Sequence, residues 1–523
     1  MQKISIFDST LRDGAQAEGI SFSVEDKLKI VKALDEFGVG YIEAGNPGSN
    51  PKDLEFFRRA GEMRLQTAKL VAFGSTRRCD ASVADDKNVQ SLLAANTNIV
   101  AIVGKSWDFH VTDILNTTLA ENLLMIADTI AFCKQNGKMV LFDAEHFFDG
   151  YKADADYALQ TLQTAADAGA DTLVLCDTNG GAFPQEIAEI TCKVVGMFDV
   201  PVAIHCHDDC GMAAANSLLA VDAGAAMVQG TFTGFGERCG NAALCTIIPA
   251  LQLKRGYACI PDENMAFLTH TARLVTDVAN IPLPDDLPFV GRGAFTHKGG
   301  MHIDGVSKAA HSFEHLSPES VGNERRLLTS EVAGRSTILK KIQKVQPGIQ
   351  KDSPETAQII DTLKDMEYQG YQFEAAESTF DLIIRKKLGK YKPFFELVNF
   401  KIIGEQPYDK SRSSSAVIKV IVDGKEEITA AEGKGPVNAL DKALRKALEV
   451  FYPQLASVHL TDYKVRVLDG EATAAKVRVL IESSDGANSW SNVGVSNDII
   501  EASWIALVDS IEYKLLKDME AQG

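Results

Sequence analysis

Eight short apolar runs, each closing in polar residues and each followed by a helix-like stretch, fill the first half of the chain. They fall near residues 4–8, 39–44, 68–73, 98–104, 138–143, 171–177, 201–207 and 226–232. Between them lie patterns such as Val24 to Phe37, where Leu28, Val31, Leu34 and Phe37 recur at three-residue steps on one face. Strands alternating with helices at roughly 30–40-residue intervals predict parallel βα units. Eight such units over roughly 260 residues predict an α/β protein that begins with a (β/α)8 TIM barrel. A doubly wound open sheet is the competing arrangement.

A barrel collects its reactive groups at the C-terminal ends of its strands, and here every strand end is polar. In order they offer Arg12 and Asp13; Glu43 and Asn46; Thr76 and Arg77; Lys105 and Trp107; Glu145 and His146; Asp177 and Thr178; His205, His207 and Asp208; and Glu237, Arg238 and Asn241. The seventh run carries the only His-x-His of the sequence, His205-Cys206-His207. Alternate strand residues share a face, so both imidazoles can hold one ion, and closure brings Asp13 to the same mouth. Two core histidines satisfied by backbone carbonyls are the plainer alternative. Two imidazoles, a carboxylate and water suit Zn²⁺, Mn²⁺, Co²⁺ or Fe²⁺, with Mg²⁺ tolerated at an open octahedral site. Asn241 could add an amide oxygen, and open positions could chelate a 2-oxo acid.

Arg12, beside a metal ligand, reads as the group that stabilises charge developing on a ketone oxygen. Glu145 reads either as a catalytic carboxylate or as an anchor for its neighbours. The Gly234-Phe235-Gly236-Glu237-Arg238-Cys239-Gly240 stretch superficially resembles a dinucleotide loop, but its third glycine is one position late and it follows the eighth strand; a nicotinamide site is rejected. His297-Lys298-Gly299-Gly300-Met301-His302-Ile303-Asp304-Gly305 lies beyond the barrel, either as a glycine-rich connector or as a lid carrying a proton-transfer group.

A chain of 523 residues predicts two to four domains. The net charge of −18 argues against nucleic-acid or anionic-membrane partners. Nine cysteines, all before residue 260 and without a Cys-x-x-Cys, make structural disulfides unexpected and favour a reducing, cytoplasmic setting. No apolar run approaches the roughly 18–20 residues of a membrane span, and no cleaved leader is expected.

Residues 271–388 read as a linking subdomain in which Gly291, Gly293, Gly299 and Gly300 suggest an irregular segment, followed by helix from Glu355 to Tyr368. Residues 389–523 read as an α+β domain with an internal duplication. Strands at Ser415–Asp423, Lys464–Leu468 and Ala475–Ser483 precede helices at Pro436–Phe451 and Ser496–Leu516. Val417–Val422 corresponds to Val477–Ile481, and each leads through a glycine-containing loop toward a helix opened by Asn438 or Asn497. Such a pseudo-twofold domain suits a regulator or partner and predicts a homodimer.

Three segments resemble the signatures of the DRE-TIM metallolyases: Asp8 to Gln16, His205 to Gly211, and Gly234 to Ala242. The chain is most similar to the acyl-CoA Claisen-condensing branch, which includes the 2-isopropylmalate, homocitrate and citramalate synthases. Its tail resembles the allosteric domain of that branch. Glu43 to Asp53, Gly104 to Val111 and Val321 to Arg326 are most similar to the (R)-citramalate synthase family.

The resemblance implies condensation of acetyl-CoA with pyruvate to give citramalate and CoA, on the pyruvate route to isoleucine. It implies a divalent metal held by Asp13, His205 and His207 with Asn241 nearby, Arg12 on the ketone, and Thr178 on the substrate carboxylate. Glu145 and His302 handle the protons, and Gly234, Gly236, Glu237 and Asn241 lie along the acyl-CoA segment. Trp107 is expected to narrow the pocket against 2-oxoisovalerate, and isoleucine is the implied feedback inhibitor. Phe313 stands where the family often has a tyrosine, so no phenolic donor is expected there. The rival readings are the same chemistry on 2-oxoisovalerate (2-isopropylmalate synthase), a lyase of the same superfamily, and a catalytically silent amino-acid sensor.

Overall fold

The computed structural model describes residues 2–328, 335–350, 352–373, 376–405, 413–468, 475–486 and 488–522. Its strands β1 (Ser5–Asp8), β2 (Tyr41–Gly45), β3 (Lys69–Ser75), β4 (Ile99–Lys105), β5 (Met139–Glu145), β6 (Thr172–Asp177), β7 (Val202–Cys206) and β8 (Met227–Gly230) form a closed barrel in chain order. β8 returns to β1 in parallel register, Ser5 against Met227 and Asp8 against Gly230, which excludes the open sheet. Each strand lies within two residues of its expected place.

The helices are α1 (Val24–Phe37), α2 (Pro51–Ala60), α3 (Lys87–Ala94), α4 (Leu119–Gln135), α5 (Phe147–Ala153), α6 (Ala155–Asp167), α7 (Pro184–Met197) and α8 (Ala213–Asp222). α1 shows why such segments form. Ser23 and Asp26 make a reciprocal capping box, Ile30, Val31, Leu34 and Phe37 are buried, and Gly38 ends the helix at φ 101°. Each of those side chains contributes roughly 1.5–3 kcal/mol on full burial. Lys27 of α1 is itself buried, donating to Asp53 of α2 at 2.6 Å and to the Ala44 carbonyl at 2.8 Å, which ties two helices to the end of β2.

Strand alternation divides the barrel interior into layers. Phe7, Val71, Ala101, Leu141, Val174, Ala203 and Met227 pack as one apolar cluster. Two residues further along the same faces stand Asp143 after Leu141, His205 after Ala203 and Gln229 after Met227, all buried. The apolar plug fills the lower barrel, and the polar layer above it forms the floor of the site.

The chain divides into two compact units, residues 1–296 with 314–326, and residues 297–313 with 327–523. In the second unit the structure corrects the expected irregular connector: Gly300–Lys308 is a helix. Its Gly305 is required by packing, since a Cβ there would meet the Phe313 ring at 2.5 Å. Helix Pro354–Tyr368 forms one residue ahead of its expected start.

The tail is a duplication of three strands and a helix. Strands Glu396–Glu405, Ser413–Val422 and Lys425–Gly433 form one antiparallel sheet followed by helix Pro436–Glu449. Strands His459–Val467, Val477–Ser484 and Ser489–Ser496 form another, followed by helix Ile499–Gln522. The first strand of each sheet carries a register shift after its second residue, at Leu397/Asn399 and Leu460/Asp462. The expected correspondence of Val417–Val422 with Val477–Ile481 is therefore between central strands. A further strand, absent from the sequence reading, separates each glycine loop from its helix. Nor do Asn438 and Asn497 open the helices in matching places: Asn438 lies inside one, and Asn497 precedes the other. Both repeats share one core, including Ile418, Leu444, Ile481 and Leu507. Among the described residues no helix is long and apolar enough to cross a membrane, and all nine cysteines are free.

Candidate metal centre and active site

The chain leaves β1 through a tight turn. Asp8 accepts from the Thr10 amide and hydroxyl, each at 2.9 Å, while the Ser9 carbonyl accepts from the Asp13 amide at 2.9 Å. The Thr10 hydroxyl in turn accepts from the Phe232 amide at 2.8 Å, fastening the turn to the loop after β8. Gly14 is needed beside it, because a Cβ would meet the Phe235 ring at 2.8 Å. These constraints hold Arg12 and Asp13 at the barrel mouth. Burial drives the Asp8 carboxyl up to about 7 in spite of the Thr10 bonds.

Asp13 Oδ2 lies 3.4 Å from His205 Nε2 and 3.8 Å from His207 Nε2. One ligand atom from each of the three residues falls within 4.8 Å of the others, and all three residues are buried. Burial pushes the Asp13 carboxyl up, but the Arg12 guanidinium and the His205 bond outweigh it and hold it well below the usual range. Burial lowers His205, yet Asp13 leaves it above its ordinary value. His207 is pushed down to about 4 by burial and by His205, keeping a lone pair available.

The residues fit a divalent cation on two further counts. Among the described residues, both amide atoms of buried Asn241 lack a hydrogen-bond partner, as does His207 Nδ1, and such buried groups are costly unless something else satisfies them. Asn241 also bridges to His207 in the backbone, which places it beside the cluster. The set of two imidazoles, one carboxylate and one amide is that of a borderline or hard cation.

Arg12 is fixed from three sides. Its Nε donates to Glu43 Oε2 at 2.6 Å, its Nη1 lies 3.4 Å from Asp13, and its guanidinium carbon sits 3.9 Å above the Phe73 ring. Burial alone would lower its pKa, but Glu43 and Asp13 raise it, so Arg12 stays cationic. Glu43 is fully buried and also accepts from the Ser9 hydroxyl at 2.6 Å. The sequence reading gave Glu43 no role and overlooked Asp143, Gln229 and Phe73. The signal was strand parity, since Glu43 shares a face with Tyr41 and Asp143 with Glu145.

A second wall comes from β4 to β6. Glu145 Oε2 is paired with Lys105 Nζ, its direct register partner. Trp107 stacks on His110 at 5.1 Å, and His110 lies 4.2 Å from His146 between ring centroids. His146 adopts φ 54° and donates its amide to the Thr178 hydroxyl at 2.9 Å, which leaves that hydroxyl's proton free to donate. Burial, His146 and Lys105 lower the pKa of His110. Arg238 clamps the neighbouring loops, donating to the Thr178 carbonyl at 2.6 Å and to both Asp209 oxygens at 2.8 and 2.9 Å.

The glycine loop after β8 folds against Asn241. A Cβ on Gly236 would meet the Asn241 amide nitrogen at 2.2 Å, one on Gly240 would meet the Gly234 carbonyl at 2.1 Å, and Gly234 itself has φ 87°. Glu237 is exposed. His302 belongs to the second unit, stacked on Phe313 at 4.1 Å.

Other strand-end groups build the scaffold instead. Arg77 pairs with Glu121 and Asp128 of α4. The Asn46 amide donates to Asp53. Asp177 accepts from the amides of Gly181 and Ala182, and Asp208 from that of Ala213.

Comparison with known proteins agrees with this architecture. Residues 3–275 match the HMGL-like family, residues 289–370 the homocitrate synthase post-HMGL domain-like family, and residues 374–515 the LeuA allosteric (dimerisation) domain. The chain is 53% identical to an (R)-citramalate synthase of Aquifex aeolicus (strain VF5), covering 99% of each chain. It is 52% identical to that of Synechocystis sp. (strain ATCC 27184 / PCC 6803 / Kazusa), covering 98% of this chain and 96% of the relative. Identity to that of Geobacter sulfurreducens (strain ATCC 51573 / DSM 12127 / PCA) is 50%, over 100% of this chain and 99% of the relative. The resemblance of its motifs to the DRE-TIM metallolyases is borne out, and the chain belongs to the HMGL-like family and, within it, to the (R)-citramalate synthase family.

Proposed function

We propose that the chain condenses acetyl-CoA with pyruvate and water to give (R)-citramalate and free CoA. The observation that carries this reading is near-full-length identity of 50–53% to three (R)-citramalate synthases. The buried Asp13, His205 and His207 cluster beside a fixed Arg12 supports it.

Asp13, His205 and His207, with Asn241, would hold a divalent cation (Mn, Zn, Co or Mg) that polarises the keto and carboxylate oxygens of pyruvate. Arg12 adds a fixed positive charge at the ketone, where negative charge grows as the new C–C bond forms. Thr178 uses its free hydroxyl proton on the substrate carboxylate. A thioester methyl is a very weak acid, so its proton must leave beside the acceptor, where positioning supplies much of the rate. Glu145, held by Lys105, removes that proton, and the family resemblance gives His302 a share in the proton handling. Carbon–carbon bond formation gives an alkoxide that takes up a proton. Water then adds to the thioester carbonyl and expels the CoA thiol, making the sequence effectively irreversible. Gly234, Gly236 and Glu237 border the acetyl-CoA path, and Trp107 limits the pocket to a methyl ketone.

The reading divides the chain into a catalytic barrel at 1–270, a linking segment at 271–388 and an allosteric domain at 389–523. The match of 374–515 to an allosteric dimerisation domain supports a feedback-regulated homodimer, and isoleucine, the pathway's end product, is the proposed inhibitor. Nine free cysteines accord with a cytoplasmic enzyme. The test is CoA release with pyruvate and with 2-oxoisovalerate. A methylene is worth about 1–3 kcal/mol in such a pocket, so pyruvate is expected to be preferred at least tenfold. A preference for 2-oxoisovalerate would replace this assignment with 2-isopropylmalate synthase.

A further inference from the structure

We infer that Gln229 and Asp143, which touch no proposed ligand atom, set the tautomer of His205 and thereby prepare one of the two imidazoles for the cation; this rests on the metal-centre reading above. β7 and β8 pair so that His205 stands directly opposite Gln229. His205 Nδ1 lies 3.1 Å from Gln229 Oε1, and Gln229 Nε2 lies 3.5 Å from Asp143 Oδ1 on β5. Gln229 is fully buried, while Asp143 and His205 are 4% and 6% exposed, so water does not compete freely for these groups.

The direction of this relay follows from chemistry. An amide nitrogen only donates, and a carboxyl group accepts through its carbonyl oxygen in either protonation state. Asp143 therefore turns the Nε2 end of Gln229 toward itself and the Oε1 end toward His205. An acceptor facing Nδ1 requires the proton to sit there, which leaves the Nε2 lone pair aimed at the space beside Asp13. A metal-binding imidazole ordinarily has its second nitrogen anchored in this way. His207 lacks the device: its Nδ1 is buried with no hydrogen-bond partner among the described residues. The two histidines are thus unequal: His205 has its second nitrogen anchored and His207 does not.

The test is direct Co²⁺ titration of the full chain, followed by its visible d–d absorption and by competition with a chelator. Gln229→Leu removes both bonds at similar volume. Asp143→Asn changes only the remote partner and lets Gln229 turn its nitrogen toward His205. Each variant is expected to bind Co²⁺ about 10–100-fold more weakly with an altered band, and to recover most of its kcat at saturating Co²⁺. In chain labelled with ¹⁵N-histidine, the wild type should show His205 protonated at Nδ1, and Asp143→Asn should reduce that signal. Wild-type affinity and band in both variants would overturn the inference while leaving the metal centre standing. No Co²⁺ binding by the wild-type chain would overturn both.

Discussion

The barrel and the tail are both built by repetition, and they put buried charge to different uses. The barrel repeats a strand and a helix and closes on itself, so strand ends distant in sequence, from Asp13 to Asn241, face one another. The tail repeats three strands and a helix, and its buried carboxylates lie along one helix. There Asp509 pairs with Lys386 at 3.2 Å, and Glu512 accepts from the Phe394 amide at 3.2 Å. Those bonds fasten neighbouring segments. Among the described residues the one group of three potential metal ligands is Asp13, His205 and His207. Closure, more than the number of ionisable groups, is what makes a site.

The largest effect should come from the barrel. If Arg12 has the role proposed for it, Arg12→Ala removes the charge opposite the developing oxyanion, and kcat should fall about 10²–10³-fold. Heat unfolding of the tail should not change. Steady-state CoA release, together with unfolding curves, measures both.

A smaller effect distinguishes the tail. Burial, against its bonds to Tyr391 and Phe394, raises the Glu512 pKa from 4.5 to about 7. Between those values the folded chain binds more protons than the unfolded one, so stability is highest at the acid end and falls as pH rises toward 7. Glu512→Gln should remove on the order of 1–3 kcal/mol of that fall. Urea unfolding at pH 5 and pH 8 reads the difference, and a pH dependence identical to wild type would exclude Glu512 as its source.

The smallest effect tests the duplication. Ile418 and Ile481 occupy the central strands of the two sheets and are both buried. Each Ile→Val change should cost about 0.5–1.5 kcal/mol. The two costs should agree within a few tenths of a kcal/mol if the repeats are equivalent, and should leave kcat unchanged.

The same contrast explains what could be read from the sequence. Barrel strands are continuous apolar runs because parallel strands are covered on both faces, so all of them were legible. The His-x-His spacing and the Arg12-Asp13 pair marked the cluster in advance. Asp143 and Gln229 escaped notice, and Glu43 was found at a strand end without a role, because each is a single polar residue inside an apolar run whose place is visible only when strand parity is followed into the barrel. In the tail, strands Glu396–Glu405 and Ser489–Ser496 were missed, as was Lys425–Gly433. A bulge breaks the alternation in the first, and charged edge positions such as Lys425, Glu426 and Glu427 disguise the last. Helix Gly300–Lys308 was hidden by its glycines, one of which is demanded by the Phe313 ring.

The most direct measurement is cation binding and CoA release in the same samples of wild-type chain and His207→Ala. With one of the three proposed ligands gone, the variant should lose both tight Co²⁺ binding and pyruvate-dependent CoA release while keeping the unfolding profile of its tail. Retention of metal and turnover by His207→Ala would contradict the assignment of this cluster as the catalytic centre.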